Sequence, residues 1–214
     1  MSHAGDHGAL MDEVYRRQRR IYDVTRKYYL LGRDHLIEQM DVQSGQSVLE
    51  VACGTGRNLA AMRQRYPQAR LFGLDISEQM LLSARAKLGS EAALARADAC
   101  KFDPETLLGV DHFDHIVFSY SLSMIPDWQS ALSEALRHLA PGGTLHLVDF
   151  GDQSALPRWF RRGLLMWLAK FHVTPRPDLP DVMRRHAGAD DGLRQDALYR
   201  GYATYARLSR RSAA

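Results

Sequence analysis

Three scarcities narrow the reading of this chain before any motif does. Two cysteines in 214 residues cannot supply the paired bridges on which small secreted domains depend. No stretch approaches the roughly 18 apolar residues of a membrane-crossing helix, and the segment from Met1 to Glu13 carries acids where a secretion signal would have its apolar centre. The nine histidines never fall at ligand spacing with a cysteine or an acid cluster, so no metal site is expected. Internal repeats and low-complexity tracts are absent too. A disulfide scaffold, a membrane-spanning protein and a zinc-type centre are thereby set aside, and a cytoplasmic protein is the expectation. With 45% hydrophobic residues, the chain has material for one domain with a sizeable core over residues 1–214. Cys53 and Cys100, at expected strand ends, read as small buried thiols.

What is present is a pair of matched motifs. Val48-Leu49-Glu50-Val51-Ala52-Cys53-Gly54-Thr55-Gly56-Arg57-Asn58 is an apolar run ending in an acid, then a glycine turn into a helical pattern. Asp75, nineteen residues after Gly56, ends a second apolar run, Leu71-Phe72-Gly73-Leu74-Asp75-Ile76-Ser77. A strand buried on both faces reads as such an unbroken run, and Gly54 and Gly56 let the backbone approach a ligand where a Cβ would clash. A carboxylate at the second strand's end can accept both hydroxyls of a ribose, which makes Asp75 the ribose candidate. Two nucleoside cofactors share this layout. A dinucleotide brings a pyrophosphate and favours a third glycine, but the position three after Gly56 is Leu59. S-adenosylmethionine brings an ammonium and no phosphate, and Glu50 stands where that cation would lie, so the methyl donor is preferred.

Three later segments agree. Ala95-Arg96-Ala97-Asp98-Ala99-Cys100 puts an acid and a backbone amide where an adenine would need them. Phe113 to Leu122 is a fourth strand running into a polar-aromatic loop, and Pro141-Gly142-Gly143 to Asp149 is a turn into a fifth. In this order and spacing the chain resembles a class I S-adenosylmethionine-dependent methyltransferase, well over residues 20 to 150 and loosely beyond. Ala52 departs from the glycine that family often has there. The resemblance implies an α/β, Rossmann-like fold: a seven-stranded, mostly parallel sheet with a C-terminal antiparallel hairpin and N-terminal amphipathic helices. It further implies that Arg33, Glu50, Ala52, Gly54, Gly56, Asn58, Asp75, Ile76, Met80, Asp98, Ala99 and Ser119 hold the cofactor. From alternation alone, strands fall near 47–52, 70–75, 92–97, 114–119 and 143–149, with helices near 57–66, 77–88, 126–139 and 154–171. Pro175, Pro177 and Pro180 break any helix and make a loop able to cap the site, and residues 197–208 hold the strand-like hairpin.

Charge is unevenly placed. Residues 11–33 carry seven basic and three acidic side chains, residues 34–156 nine and sixteen, and residues 157–185 seven and two. The acidic centre is therefore flanked by two basic segments, a cap over residues 10–35 and an insertion over residues 154–190. Both show helical periodicity. Met11, Val14, Tyr15, Gln18, Ile21 and Tyr22 line one face of the first, and Phe160, Leu164, Trp167, Leu168 and Phe171 one face of the second, opposite Arg158, Arg161 and Arg162. Basic helices with bulky apolar faces suit the boundary of an anionic membrane; the plainer alternative is that both stripes pack on the sheet. Nucleic acid is disfavoured, because the loop after the fourth strand lacks the Asn/Asp-Pro-Pro-Tyr arrangement of adenine methyltransferases.

The run from Arg19 through Tyr28-Tyr29-Leu30-Leu31-Gly32-Arg33-Asp34 resembles bacterial diacylglycerylhomoserine N-methyltransferases, which make betaine lipid, and more distantly phosphatidylethanolamine N-methyltransferases. That implies an enzyme on the inner face of the membrane, methylating one lipid amine successively. Tyrosine faces bind a growing ammonium through the ring quadrupole, so Tyr22, Tyr28 and Tyr120 are candidates. Arg33 and Arg26 are candidate clamps for a headgroup anion or for the cofactor's carboxylate. Asp149 either orients the amine or caps a loop, and His146, inside a strand, is a poor base. A methyltransferase for a soluble amine, phenol or quinone and a non-catalytic S-adenosylmethionine-binding module are the alternatives.

Overall fold

The computed structural model describes residues 30–171 and 173–212. Tyr22, Tyr28, Arg26 and most of the N-terminal basic cap lie outside the described residues. In chain order the elements are α1 (Arg33–Gln39), β1 (Ser47–Val51), α2 (Arg57–Arg65), β2 (Arg70–Asp75), α3 (Glu78–Leu88), β3 (Ala92–Arg96) and α4 (Pro104–Leu108). They continue as β4 (Phe113–Ser119), α5 (Trp128–Arg137), β5 (Leu139–Phe150), α6 (Arg158–Ala169), α7 (Leu179–His186), β6 (Gly192–Leu198) and β7 (Ala203–Ser209). All seven strands form one sheet of order β3-β2-β1-β4-β5-β7-β6. The first five run parallel, and β7 is antiparallel to both β5 and β6.

The apolar runs explain the layers. Every residue of β1 is buried. Val48 packs with Leu59, Met62 and Leu81 on one face, while Leu49 and Val51 join Phe72, Ile116 and Leu132 on the other. A strand loaded on both sides needs helices on both sides, and the alternation supplies them. Close approach is set at Gly73, where an added Cβ would stand 2.8 Å from Leu59 and 2.9 Å from the Cys53 sulfur. Only a glycine lets α2 lie that near to β2.

Several boundaries differ from expectation. β5 begins at Leu139, because Phe113 pairs with Leu139 before the register shifts to His115 opposite Thr144; the Pro-Gly-Gly stretch is an irregularity inside the strand. α6 begins at Arg158 and not at residue 154, with Pro157 capping it. Pro180 does not break a helix but sits in the first turn of α7, where its missing N–H costs nothing. The hairpin is longer than expected, starting at Gly192, and its turn holds Tyr199 and Arg200 at φ 52° and 61° ahead of Gly201 at 77°. α4 was not foreseen; Asp103 caps it by accepting from Thr106 N. His146 is fully buried as expected, its Nε2 3.2 Å from Nδ1 of His115. Burial lowers both imidazoles below their ordinary range, His115 to about 4. His115 lies opposite Val48 at the start of β1, and His146 opposite Val117 in mid-sheet, so this neutral pair is enclosed within the sheet layer.

Candidate functional site

Strand order reverses between β1 and β4, which opens a crevice at their carboxyl ends. Ala52, Tyr120 and Gln153 follow the three adjacent strands β1, β4 and β5, and all hold left-handed backbone, at φ 57°, 54° and 58°. Such a conformation costs a non-glycine residue on the order of 1 kcal/mol. Three instances at neighbouring strand ends mark the crevice as the place where local stability has been given up. Ala52 thus reaches the backbone shape that a glycine would adopt freely.

The β1–β3 side is built around two acids. Asp75 Oδ2 accepts from Gly54 N at 2.8 Å and Oδ1 from Ser77 N at 2.9 Å, so one carboxylate fastens the glycine turn to the start of α3. Gly54, at φ 55°, would meet nothing within 4 Å if it carried a Cβ, so its backbone faces open space. Gly56, at φ 70°, serves packing instead: a Cβ there would stand 2.8 Å from Leu88 and 3.1 Å from Ala84. Glu50 is buried and accepts from Asn58 Nδ2 at 2.6 Å, while its other oxygen, Oε2, has no partner. Burial raises its pKa to about 7, against the opposing pull of Asn58 and the Arg33 charge. A buried acid with an unmet oxygen is suited to a cation.

A cavity of about 340 Å³ is lined by Ala52, Asp75, Ile76, Asp98, Ala99 and Cys100, and by Ile125, Pro126 and Asp127 from the loop after β4. Five of the expected cofactor residues are thus brought to one hollow. Asp98 Oδ1 accepts from Cys100 N at 2.9 Å, and Met80 is buried against Met124 and Phe171. Cys100 is only half-buried on this rim, unlike the expected buried thiol, and burial with the nearby Asp98 pushes its pKa up to about 12. That direction disfavours the thiolate. Cys53 is buried as expected.

The β4–β5 side looks different. Ser119, Ser121 and Ser123 are buried; the Ser119 and Ser121 hydroxyls have no hydrogen-bond partner, while that of Ser123 lies beside the Asp149 carboxylate. Asp149 is buried, accepting from Ser123 N at 3.0 Å and from Phe150 N at 2.8 Å; burial raises its pKa. Both oxygens are engaged by backbone, so Asp149 stands as the anchor of the loop after β4. Tyr120 is buried, its hydroxyl donates to the Leu31 carbonyl, and its ring meets Phe150 edge-on at 4.8 Å. The expected cation-holding face is therefore largely taken up by packing. The Arg33 charge acts electrostatically on both Glu50 and Tyr120.

The segment between α6 and α7 is stapled to this loop. Thr174 N donates to Ser123 O at 2.8 Å, and Arg176 donates to Leu122 O at 3.1 Å and Ile125 O at 2.8 Å. Two features escaped the sequence. Gln153 is 1% exposed with both side-chain amide atoms unpartnered, and a glutamine in a polar loop carries no signal of that. Beside Tyr120's partner Leu31 opens a second cavity, about 430 Å³, lined by Leu31, Leu156, Phe160, Leu164, Trp167, Tyr199 and Tyr202. The stripe Phe160-Leu164-Trp167 was visible, but not that it walls a hollow.

Residues 48–143 match the family described as a methyltransferase domain. The plantazolicin methyltransferase BpumL, solved with a triazolic desmethylPZN analog and SAH, superposes with a TM-score of 0.71 at 14% identity, over 97% of this chain and 96% of that one. This is the class I methyltransferase fold. A possible histamine N-methyltransferase of Thermotoga maritima shares it at TM-score 0.68 and 18% identity, over 93% of this chain and 99% of that one. Among curated relatives, the demethylmenaquinone methyltransferase of Listeria monocytogenes serotype 4a is 33% identical over 138 residues, 64% of this chain and 57% of that protein. The trans-aconitate 2-methyltransferase of Azoarcus is 34% identical over 110 residues, 51% of this chain and 41% of that protein. The chain spans little more than half the length of the first of these relatives. Within the methyltransferase fold, the glycine turn, Glu50 and Asp75 occupy the crevice at the strand-order reversal, and no group of three or more His, Cys, Asp and Glu among the described residues could hold a metal.

Proposed function

We propose that the protein is an S-adenosylmethionine-dependent N-methyltransferase whose acceptor is the amine of a membrane lipid headgroup. The observation that carries this reading is the apolar cavity of about 430 Å³ opening beside a crevice full of buried, unmet polar atoms. A long apolar tail and a small polar head are the molecule such a pairing suits. The segment that resembles lipid N-methyltransferases leads into both: Leu31 lines the cavity and accepts from Tyr120, and the Arg33 charge acts on Tyr120 and Glu50.

The residues fit the cofactor. The unpartnered oxygen of Glu50 suits an ammonium, the doubly braced Asp75 a ribose, and the 340 Å³ hollow between Asp75 and Pro126 an adenine. When bound, S-adenosylmethionine supplies an electrophilic methyl group on sulfur. The chain's own task is to hold the amine in line with that methyl, about 3 Å away, and to keep water out. Among the described residues of the mouth, Asp149 is tied to backbone and Tyr120's hydroxyl, raised well above its usual range by burial, donates to Leu31. Neither is placed as a base. The amine therefore loses its proton to water before or during docking, and turnover rises with pH towards the pKa of the lipid amine.

The curated relatives favour a second reading, methylation of a quinone ring. One experiment separates the two: incubation of the full chain with radiolabelled S-adenosylmethionine and a total lipid extract, followed by separation. Label in a quaternary-ammonium lipid supports headgroup methylation; label in the quinone fraction replaces it with the second reading.

A further inference from the structure

Helix α6 has two faces with different surroundings. Phe160, Leu164 and Trp167 wall the apolar cavity, and Leu168 is the helix's buried residue. On the outer side Trp159 is 76% exposed, Met166 58% and Leu165 37%. An indole left three-quarters in water is unusual, and here it is joined by further bare apolar side chains within two turns of the same helix. Interleaved with them are Arg158, Arg161 and Arg162, all exposed, and α6 carries no acid. None of the ion pairs found among the described residues involves these three arginines.

We propose that the outer face of α6 seats the protein on an anionic bilayer, with Trp159, Leu165 and Met166 in the headgroup boundary and the three arginines against lipid phosphates. The charge complementarity selects this occupant. A protein partner would bury the indole but would leave three adjacent guanidinium groups to be matched one by one, whereas an anionic lipid surface offers negative charge along the whole helix. The cavity lies on the inner side of the same helix, where it would receive the chain of a lipid acceptor. That last consequence rests on the lipid-acceptor reading; the seating itself does not.

The test is flotation of the full chain, without cofactor, on vesicles of phosphatidylglycerol and phosphatidylcholine and on vesicles of phosphatidylcholine alone. Binding to the anionic vesicles that falls with salt is expected. Arg158→Ala/Arg161→Ala/Arg162→Ala should weaken it on the order of 100-fold, since each arginine near such a surface counts for about fivefold. Trp159→Ala/Met166→Ser should weaken it about tenfold on its own. All five positions are exposed, and unchanged S-adenosylmethionine affinity checks that the variants fold. Native protein that stays with the soluble fraction, or either variant binding as the native chain does, overturns the proposal. Methylation of detergent-dispersed lipid amine in the same preparation would then leave the proposed function standing without the seating.

Discussion

The β1–β3 half of the crevice and the β4–β5 half share one sheet but are finished to different degrees. In the first, the binding groups are already braced: Asp75 is held by two backbone amides, Asn58 is bonded to Glu50, and Asp98 closes its own turn. In the second, two serine hydroxyls, of Ser119 and Ser121, and a glutamine amide are buried without partners, and the nearest apolar helix leaves an indole in water. A site for a ligand common to many enzymes can be pre-built from backbone and short-range bonds. A site for a particular acceptor keeps its polar groups unmet until that acceptor arrives, at a cost of about 1 to 3 kcal/mol for each.

The sharpest break of this contrast is Asp75→Ala. It removes the acceptor for two backbone amides together with the ribose contact, and S-adenosylmethionine affinity measured by calorimetry should fall at least about 100-fold. An unchanged affinity would remove the cofactor from this half altogether.

Glu50→Gln tests whether the first half also stores strain. Its folded pKa of about 7 lies above the unfolded value of 4.5, so the native chain is most favoured below pH 4.5 and loses up to about 3 kcal/mol as pH rises through 7. Glutamine does not titrate. In the absence of cofactor the variant should therefore melt progressively higher than the native chain between pH 5 and 8, while binding the cofactor more weakly. Parallel melting curves at all pH values would mean that Glu50 carries no such burden.

On the other side, Asp149→Asn should place an amide N–H against Ser123 N and loosen the loop after β4. A stability loss of about 1 to 3 kcal/mol and a clear fall in turnover are expected, with cofactor affinity within about twofold. A matching loss of cofactor affinity would show that the two halves are not separable. The smallest effect belongs to Gln153→Met, which deletes two unmet polar atoms. It should raise the melting temperature by a few degrees, equivalent to about 1 kcal/mol, and raise KM for the acceptor. Greater stability with unchanged KM would show that the amide does not face the acceptor.

The two halves were also unequally legible. Glu50, Gly54, Gly56 and Asp75 follow one another at spacings that a strand, a turn and a helix dictate locally, so their convergence could be read directly. The parallel core strands were readable as unbroken apolar runs for the same reason. Ser121, Ser123, Gln153 and Arg176 gave no such signal, because they meet only where β4, β5 and the segment after α6 come together. Proline was the least reliable local marker: Pro157 moved the start of α6, while Pro180 opened a helix where a break was expected. Cys100 lies in a turn four residues beyond β3 and is only half-buried, because it rims the cavity that residues 125–127 help to form.

By itself the sequence determined the alternation of strands and helices, the glycine turn and the acids that end β1 and β2, because these depend on backbone conformation and apolar period over a few residues. Only the tertiary structure decided that Asp149 anchors a loop, that Tyr120 bonds to Leu31, and that α6 walls a cavity with one face and leaves the other bare. Those outcomes depend on which distant surfaces meet, and hydrophobic periodicity records that a face is apolar without recording what will cover it.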